Sequence, residues 1–114
     1  MKRENITLRK LKKKVLIEGR IVSEILFDLK HINYGWDAEK RDYRSGPARQ
    51  NYSEDDVVNF FEQLNSLVQI PKSQETNLKT VEERFMFYIY DDDKKIKMIV
   101  DFMRNNSTVV VTIY

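Results

Sequence analysis

The amino-terminal third of the chain carries apolar residues at intervals of three and four positions. These residues are Leu8, Leu11, Val15, Val22, Ile25, Leu26 and Leu29. Because a helix places residues three or four apart on one face, the spacing predicts an amphipathic helix from about Thr7 to Ile32, with a break at Gly19. The chain would then begin with a basic helical region, residues 1–32.

The middle of the chain changes from a polar segment to a second helical pattern. Residues 33–52 have no apolar period and contain turn formers, which predicts a long loop. Ser53 then supplies an N-cap before an acidic first turn, and apolar residues at helical spacing follow it. They predict a helix over residues 53–69, which Pro71 would end.

From residue 78 onward the apolar residues alternate with the period of a β-strand. Strands are predicted at residues 85–90, 96–103 and 108–114, with a further strand near Leu78 to Val81. The predicted fold is therefore α+β and a single domain, residues 1–114. Its amino-terminal helices would pack on one face of a three- to four-stranded antiparallel sheet, residues 78–114, and cover Phe85, Val100 and Val111.

The amino-acid composition excludes some classes of function. The chain has 114 residues, and 20 Lys and Arg against 18 Asp and Glu give a net charge of only +2. Eight of the basic residues lie in residues 1–20, so this end is the candidate contact for RNA, with Lys12 and Lys13 among its binding residues. The absence of cysteine excludes disulfides and thiolate zinc sites and favours a cytoplasmic protein without a membrane segment.

No cofactor or metal ion is expected from the sequence. The three glycines form no phosphate-binding loop, and a single histidine among scattered carboxylates has no ligand spacing. His31, next to Lys30, is the side-chain type suited to proton transfer near neutrality, since free imidazole has a pKa of about 6.5. A surface or capping role is the alternative for a lone histidine.

Arginines and tyrosines form a second group of candidate binding residues. Arg44 and Arg49 lie in the predicted loop with Tyr52, and a guanidinium fork fits phosphate oxygens. Tyr88 and Tyr90 would face outward from the sheet, where rings can stack on bases. Solvated loop arginines and the ordinary strand preference of tyrosine are the alternatives.

The order of these parts resembles the barnase, EndoU, colicin and RelE superfamily of small ribonucleases. The likeness covers most of residues 20–114. Lys30-His31 and Thr112-x-Tyr114 are most similar to the colicin D type, which has a Lys and a His on a helix and a Ser with an aromatic residue on a late strand. Here Thr replaces Ser and Tyr replaces Trp.

This resemblance implies a metal-independent endoribonuclease toxin that cuts RNA, such as tRNA or mRNA, by attack of a ribose 2′-hydroxyl on the adjacent phosphate. His31 would be the base or acid, Arg49 and Lys30 would hold the phosphate, Thr112 would donate to it, and Tyr114 would stack or relay a proton. A cognate antitoxin or immunity protein is the implied partner.

The alternative is a non-catalytic module that binds nucleic acid or protein, such as an antitoxin or immunity partner. Immunity partners of basic nucleases tend to be acidic, because complementary charge steers association. The mildly basic balance of this chain favours the toxin side.

Overall fold

A computed structural model describes residues 5–64, 66–69 and 80–114, and the chain is mostly β. The strands are β1 (Ile6–Ile17), β2 (Arg20–Asp28), β3 (Trp36–Asp37), β4 (Asp42–Tyr43), β5 (Ser66–Gln69), β6 (Val81–Asp91), β7 (Lys94–Met103) and β8 (Thr108–Ile113); the helices are α1 (Leu29–Tyr34) and α2 (Glu54–Glu62).

Six of the strands form one mixed sheet in the order β1-β2-β8-β7-β6-β5. Neighbouring strands are antiparallel except β2 and β8, which run parallel over a short register that pairs Leu26 with Val109. β3 and β4 form a separate two-stranded ribbon in the loop after α1. The predicted strands of the carboxyl-terminal meander are confirmed as β6, β7 and β8.

The predicted arrangement of amino-terminal helices on an antiparallel sheet is wrong, because residues 6–28 form the β1–β2 hairpin. Glu18 and Gly19 both have positive φ, 48° and 78°, and they make a two-residue turn between the paired Ile17 and Arg20. This geometry matches the primed turns that suit the twist of a hairpin.

An irregularity in the hairpin explains why its apolar residues have helical spacing. The register shifts between Lys10 and Val15, so that β1 has four residues between pairs where β2 has one. Across this irregularity, the side chains of β2 that face the core do not alternate strictly. Val22 and Ile25 are therefore three positions apart, and both are buried in the core. A bulged strand therefore produced the three-residue step of a helix.

α2 begins as predicted and ends earlier than predicted. Ser53 accepts a hydrogen bond from the backbone N–H of Asp56, whose side chain accepts from the backbone N–H of Ser53, so the capping box is complete. Residues 66–69 pair with β6 as strand β5, so the helix predicted over 53–69 is wrong beyond Glu62. Pro71 and Leu78, which figured in the predicted boundaries, lie outside the described residues.

The core lies between α2 and one face of the sheet, which we call the core face. Phe87, Met98 and Val100 on this face pack with Val57 and Phe61 of α2. Because side chains alternate along a strand, the residues between them point to the opposite face, which we call the open face. The fold thus leaves one face of the central strands for the site described below.

A bulge in β8 changes which of its residues faces the core. The register shifts between Ile99 and Val100, and Val110 rather than Val111 enters the core. Val111 is half-buried, so its predicted position under a helix is wrong.

Candidate functional site

The candidate site is built around α1, the short helix that follows β2. Asp28 is its N-cap, with Oδ1 accepting a hydrogen bond of 3.1 Å from the backbone N–H of His31. Ile32 is fully buried in the core and anchors the helix to the sheet. The backbone N–H of Gly35 donates to the carbonyl of His31 at 2.8 Å, so α1 stops one turn after the histidine.

Aromatic rings surround His31. Its imidazole stacks on the indole of Trp36 with centroids 6.4 Å apart and planes at 17°, and Trp36 meets Tyr43 edge-on at 5.4 Å. The Tyr43 hydroxyl donates to Oδ2 of Asp28, and Lys30 Nζ lies 4.7 Å from the centre of the Tyr43 ring. The histidine is therefore held by a connected set of side chains from α1, β3 and β4.

Two loop arginines converge on Gly35 at the end of α1. Gly35 is buried with φ +90°, and a Cβ at this position would lie 2.9 Å from Cζ of Arg49 and 3.1 Å from Cδ of Arg44. Backbone hydrogen bonds hold both arginines, since Arg44 N donates to the Gly35 carbonyl at 3.0 Å and Arg49 N donates to the Asn33 carbonyl at 2.8 Å. The sequence left open which arginine belongs with His31; both side chains lie beside its helix.

A cavity of about 390 Å³ opens beside His31 on the open face. Apolar walls come from Ile6, Leu26, Met103, Val109, Val110 and Val111, and polar groups come from Asp28, His31, Thr80, Arg84, Asp101, Asn105 and Ser107. Its volume lies within the range of small-ligand sites, roughly 300–1,000 Å³.

An ion pair between β6 and β7 lines one part of this cavity. Arg84 Nη2 donates to Asp101 Oδ2 at 2.7 Å, and Arg84 Nε donates to Oδ1 of the same carboxylate. Asp101 is only 4% exposed, so the bidentate contact supplies the hydrogen bonds that a buried carboxylate requires. Removing Arg84 would leave the buried carboxylate of Asp101 without these two hydrogen bonds.

The other predicted site residues on the sheet lie elsewhere on their strands. Thr112 pairs with Ile99 in the register, and Tyr114 is 52% exposed, with its backbone paired to Lys97. Neither residue is among those that line the cavity. Tyr88 carries Lys95 Nζ 4.0 Å from its ring centre, and Tyr90 is 56% exposed. Their roles in RNA binding stay predictions.

Tyr52 lies on the core side rather than beside the cavity. Its ring meets Phe60 edge-on at 5.1 Å and packs against the core cluster. Partial burial raises the pKa of the Tyr52 hydroxyl, and the negative charges of Asp91 and Asp56 raise it further.

The basic amino-terminal segment is partly neutralised by α2. Arg9 donates to Glu54 at 3.0 Å and to Asp55 at 2.7 Å. The hydrogen bond from Arg9, assisted by its charge, lowers the pKa of the Asp55 carboxyl. Lys12 and Lys13 are exposed on β1, and the backbone N–H of Lys13 donates to Glu62. Arg9, one of the cations of the basic segment, thus forms salt bridges with α2.

Sequence reasoning missed four residues of this site, namely Asp28, Trp36, Arg84 and Asp101. One signal was present: an Asp three residues before His31 is an N-cap pattern, and it predicts a new helix starting at Leu29. The pairing of Arg84 with Asp101 depends on strand register and has no local signal.

Comparisons of the chain with protein-family models, curated proteins and solved structures found no match. Among residues 5–64, 66–69 and 80–114, no group of three His, Asp or Glu side chains is placed to hold a metal ion. In the same part of the chain, no helix has the length and apolar character needed to cross a membrane.

Proposed function

We propose that this protein is an endoribonuclease that cuts RNA at the site formed by α1 and the following loop, with His31 as the proton-transferring group. The observation that carries the proposal is a juxtaposition. His31 lines the cavity, and one helical turn away Arg44 and Arg49 converge on Gly35. A base for a hydroxyl and a cationic clamp for a phosphate are the two groups that this reaction needs.

The proposed reaction proceeds within the RNA strand. The imidazole of His31 removes the proton of a ribose 2′-hydroxyl, and the oxygen attacks the adjacent phosphorus in line. The bond from phosphorus to the 5′-oxygen breaks, and the leaving oxygen takes a proton from a solvent water, to which the imidazolium of His31 returns the proton that it removed. The products are a cyclic phosphate and a free hydroxyl, so atoms and charge balance without a co-reactant.

The arginines would stabilise the charge that develops on the phosphoryl oxygens. A guanidinium presents parallel N–H donors in a fixed plane, which fits two oxygens of one phosphate. Gly35 permits their approach because it lacks the Cβ that would meet Arg49 at 2.9 Å. Trp36 and Tyr43 add aromatic rings in the same place, and both residues are only half-buried.

Substitution of the arginines tests the clamp. Arg44→Lys and Arg49→Lys keep the charge and remove the planar fork, so each should slow cleavage of a synthetic RNA by roughly 10-fold or more. Arg41→Lys is the matched control, because Arg41 is an exposed arginine of the same loop. Equal rates for all three variants would contradict a role for the pair at Gly35.

Binding of RNA without cleavage is the alternative function, because arginines and stacked rings also serve a passive RNA-binding site. The two are separated with an RNA that carries a single 2′-deoxy substitution. A nuclease of the proposed type leaves the bond after the deoxy sugar intact and cuts the others. A binding module holds both RNAs with similar affinity and releases them uncut.

A further inference from the structure

We infer that the cavity beside His31 is a nucleobase site, and that it prefers a base with an exocyclic amino group. The inference rests on the proposed function, since it places the base of the nucleotide whose phosphate lies at Arg44 and Arg49. It goes further by assigning base selectivity to residues of β2, β6, β7 and β8.

The described lining of the cavity favours a neutral occupant over a phosphate. Among the described residues, its carboxylates are those of Asp28 and Asp101, and its guanidinium is that of Arg84. Arg84 is already bound to Asp101 through two of its nitrogens. The carboxylates would repel an RNA phosphate, which is an anion, whereas the arginine pair at Gly35 offers it two positive charges.

The shape and walls of the cavity suit a flat ring. Leu26, Val109 and Val111 form an apolar surface on which a base can lie, and about 390 Å³ is enough volume for one nucleoside. Polar groups of the lining come from Asp28 and His31 at the β2–α1 junction, from Arg84 and Asp101 on β6 and β7, and from Asn105 and Ser107 in the β7–β8 turn. A nucleobase has the matching chemistry, because its faces are apolar and its edges carry polar groups.

The two carboxylates that line the cavity favour a ligand that carries hydrogen-bond donors. A carboxylate accepts at about four lone-pair positions. Asp28 accepts from His31 N and from the Tyr43 hydroxyl, and Asp101 accepts two hydrogen bonds from Arg84. Each carboxylate therefore retains acceptor capacity toward an amino group, such as that of adenine or cytosine. Uracil presents carbonyl oxygens at the corresponding position, which these carboxylates repel.

Nucleoside binding tests the inference without any phosphodiester or cleavage. Trp36 is the only tryptophan and stacks on His31, which lines the cavity, so its fluorescence reports on the surroundings of His31. Titration of the full chain should show adenosine or cytidine binding at least 10-fold more tightly than uridine, as expected for a hydrogen bond to a charged acceptor. Ring contacts common to all bases would give equal affinities and overturn the preference.

A cavity-filling variant checks the location. Val109→Phe places a ring in the cavity from a half-buried position outside the core cluster, so we expect the fold to be retained and nucleoside binding to fall by roughly 10-fold or more. Leu16→Phe is the control, since Leu16 is 71% exposed on the hairpin. Circular dichroism confirms folding of both variants.

The outcomes separate this inference from the proposed function. Selective nucleoside binding that Val109→Phe removes supports the base site even when RNA stays uncut. RNA cleavage by a protein that binds no nucleoside, or binds it equally after Val109→Phe, overturns the base site and leaves the nuclease proposal in place.

Discussion

The imidazole of His31 and the indole of Trp36 lie nearly parallel, with ring centroids 6.4 Å apart. The imidazole stacks on the indole, so removing it changes the surroundings of the tryptophan. Trp36 fluorescence at a fixed pH should therefore differ between the natural chain and His31→Gln, which lacks the ring. The single tryptophan makes the signal unambiguous.

The glutamine variant keeps a polar side chain on α1 and removes the stacked ring. Identical emission spectra for the two proteins would show that Trp36 does not report on His31.

Gly35→Ala should damage both stability and the arginine pair. Gly35 has φ 90° and ψ 171°, a conformation open almost only to glycine, and a non-glycine residue there costs of order 1–3 kcal/mol. The new Cβ would also displace the Arg49 guanidinium, so we expect cleavage to slow by roughly 10- to 100-fold. Urea denaturation and the cleavage rate measure the two effects.

Gly46→Ala is the matched control for Gly35. Gly46 also has positive φ, +97°, but a Cβ there would meet nothing within 4 Å. This variant should lose stability and keep its cleavage rate. Equal loss of activity in the two variants would attribute the effect to backbone strain in the loop rather than to the arginines.

The contact between Arg9 and Asp55 should make stability depend on acid pH. Because the pKa of Asp55 is lowered in the folded chain, its contribution is present above the unfolded pKa of 3.8 and is lost as the pH falls through the folded value. Arg9→Gln should thus be destabilising at pH 7 and nearly neutral well below pH 3.8. Urea denaturation at both pH values checks this, and a difference that persists in acid would contradict it.

Tyr52→Phe should change alkaline stability and leave catalysis unaffected. The pKa of Tyr52 is raised in the folded chain, so the unfolded chain ionises first as the pH rises above 10.0 and stability falls. The phenylalanine variant should lose less stability between pH 9 and pH 11 than the natural chain. Because the ring packs on Phe60, away from the cavity, its RNA cleavage rate should match the natural one.

Features that depend on residues close together in the chain could be predicted from the sequence. The N-cap at Ser53 and the alternation of Phe85 and Phe87 depend on residues a few positions apart, and both predictions are confirmed. The amino-terminal hairpin was mistaken for a helix because the irregularity in its register puts two core residues, Val22 and Ile25, three positions apart. The register of the two strands, which periodicity does not show, determines which residues of this segment are buried.

In the candidate site, too, the local features were predicted and the features that depend on strand pairing were not. His31 and the loop arginines were identified by side-chain type, and the structure places them around one short helix. The cavity could not be predicted, because Arg84 and Asp101 become partners only through the pairing of β6 with β7. The two-residue strands β3 and β4, which bring Trp36 and Tyr43 together, are too short to leave a pattern.

The rate at which the natural chain and His31→Ala cut one labelled RNA, each in excess over the RNA and with a chelator present, tests the central claim most directly. If His31 transfers the proton, the natural chain cuts the RNA, leaves a cyclic phosphate, and is at least roughly 100-fold faster than the variant. Equal rates for the two proteins, or loss of the natural activity on adding the chelator, would contradict the account.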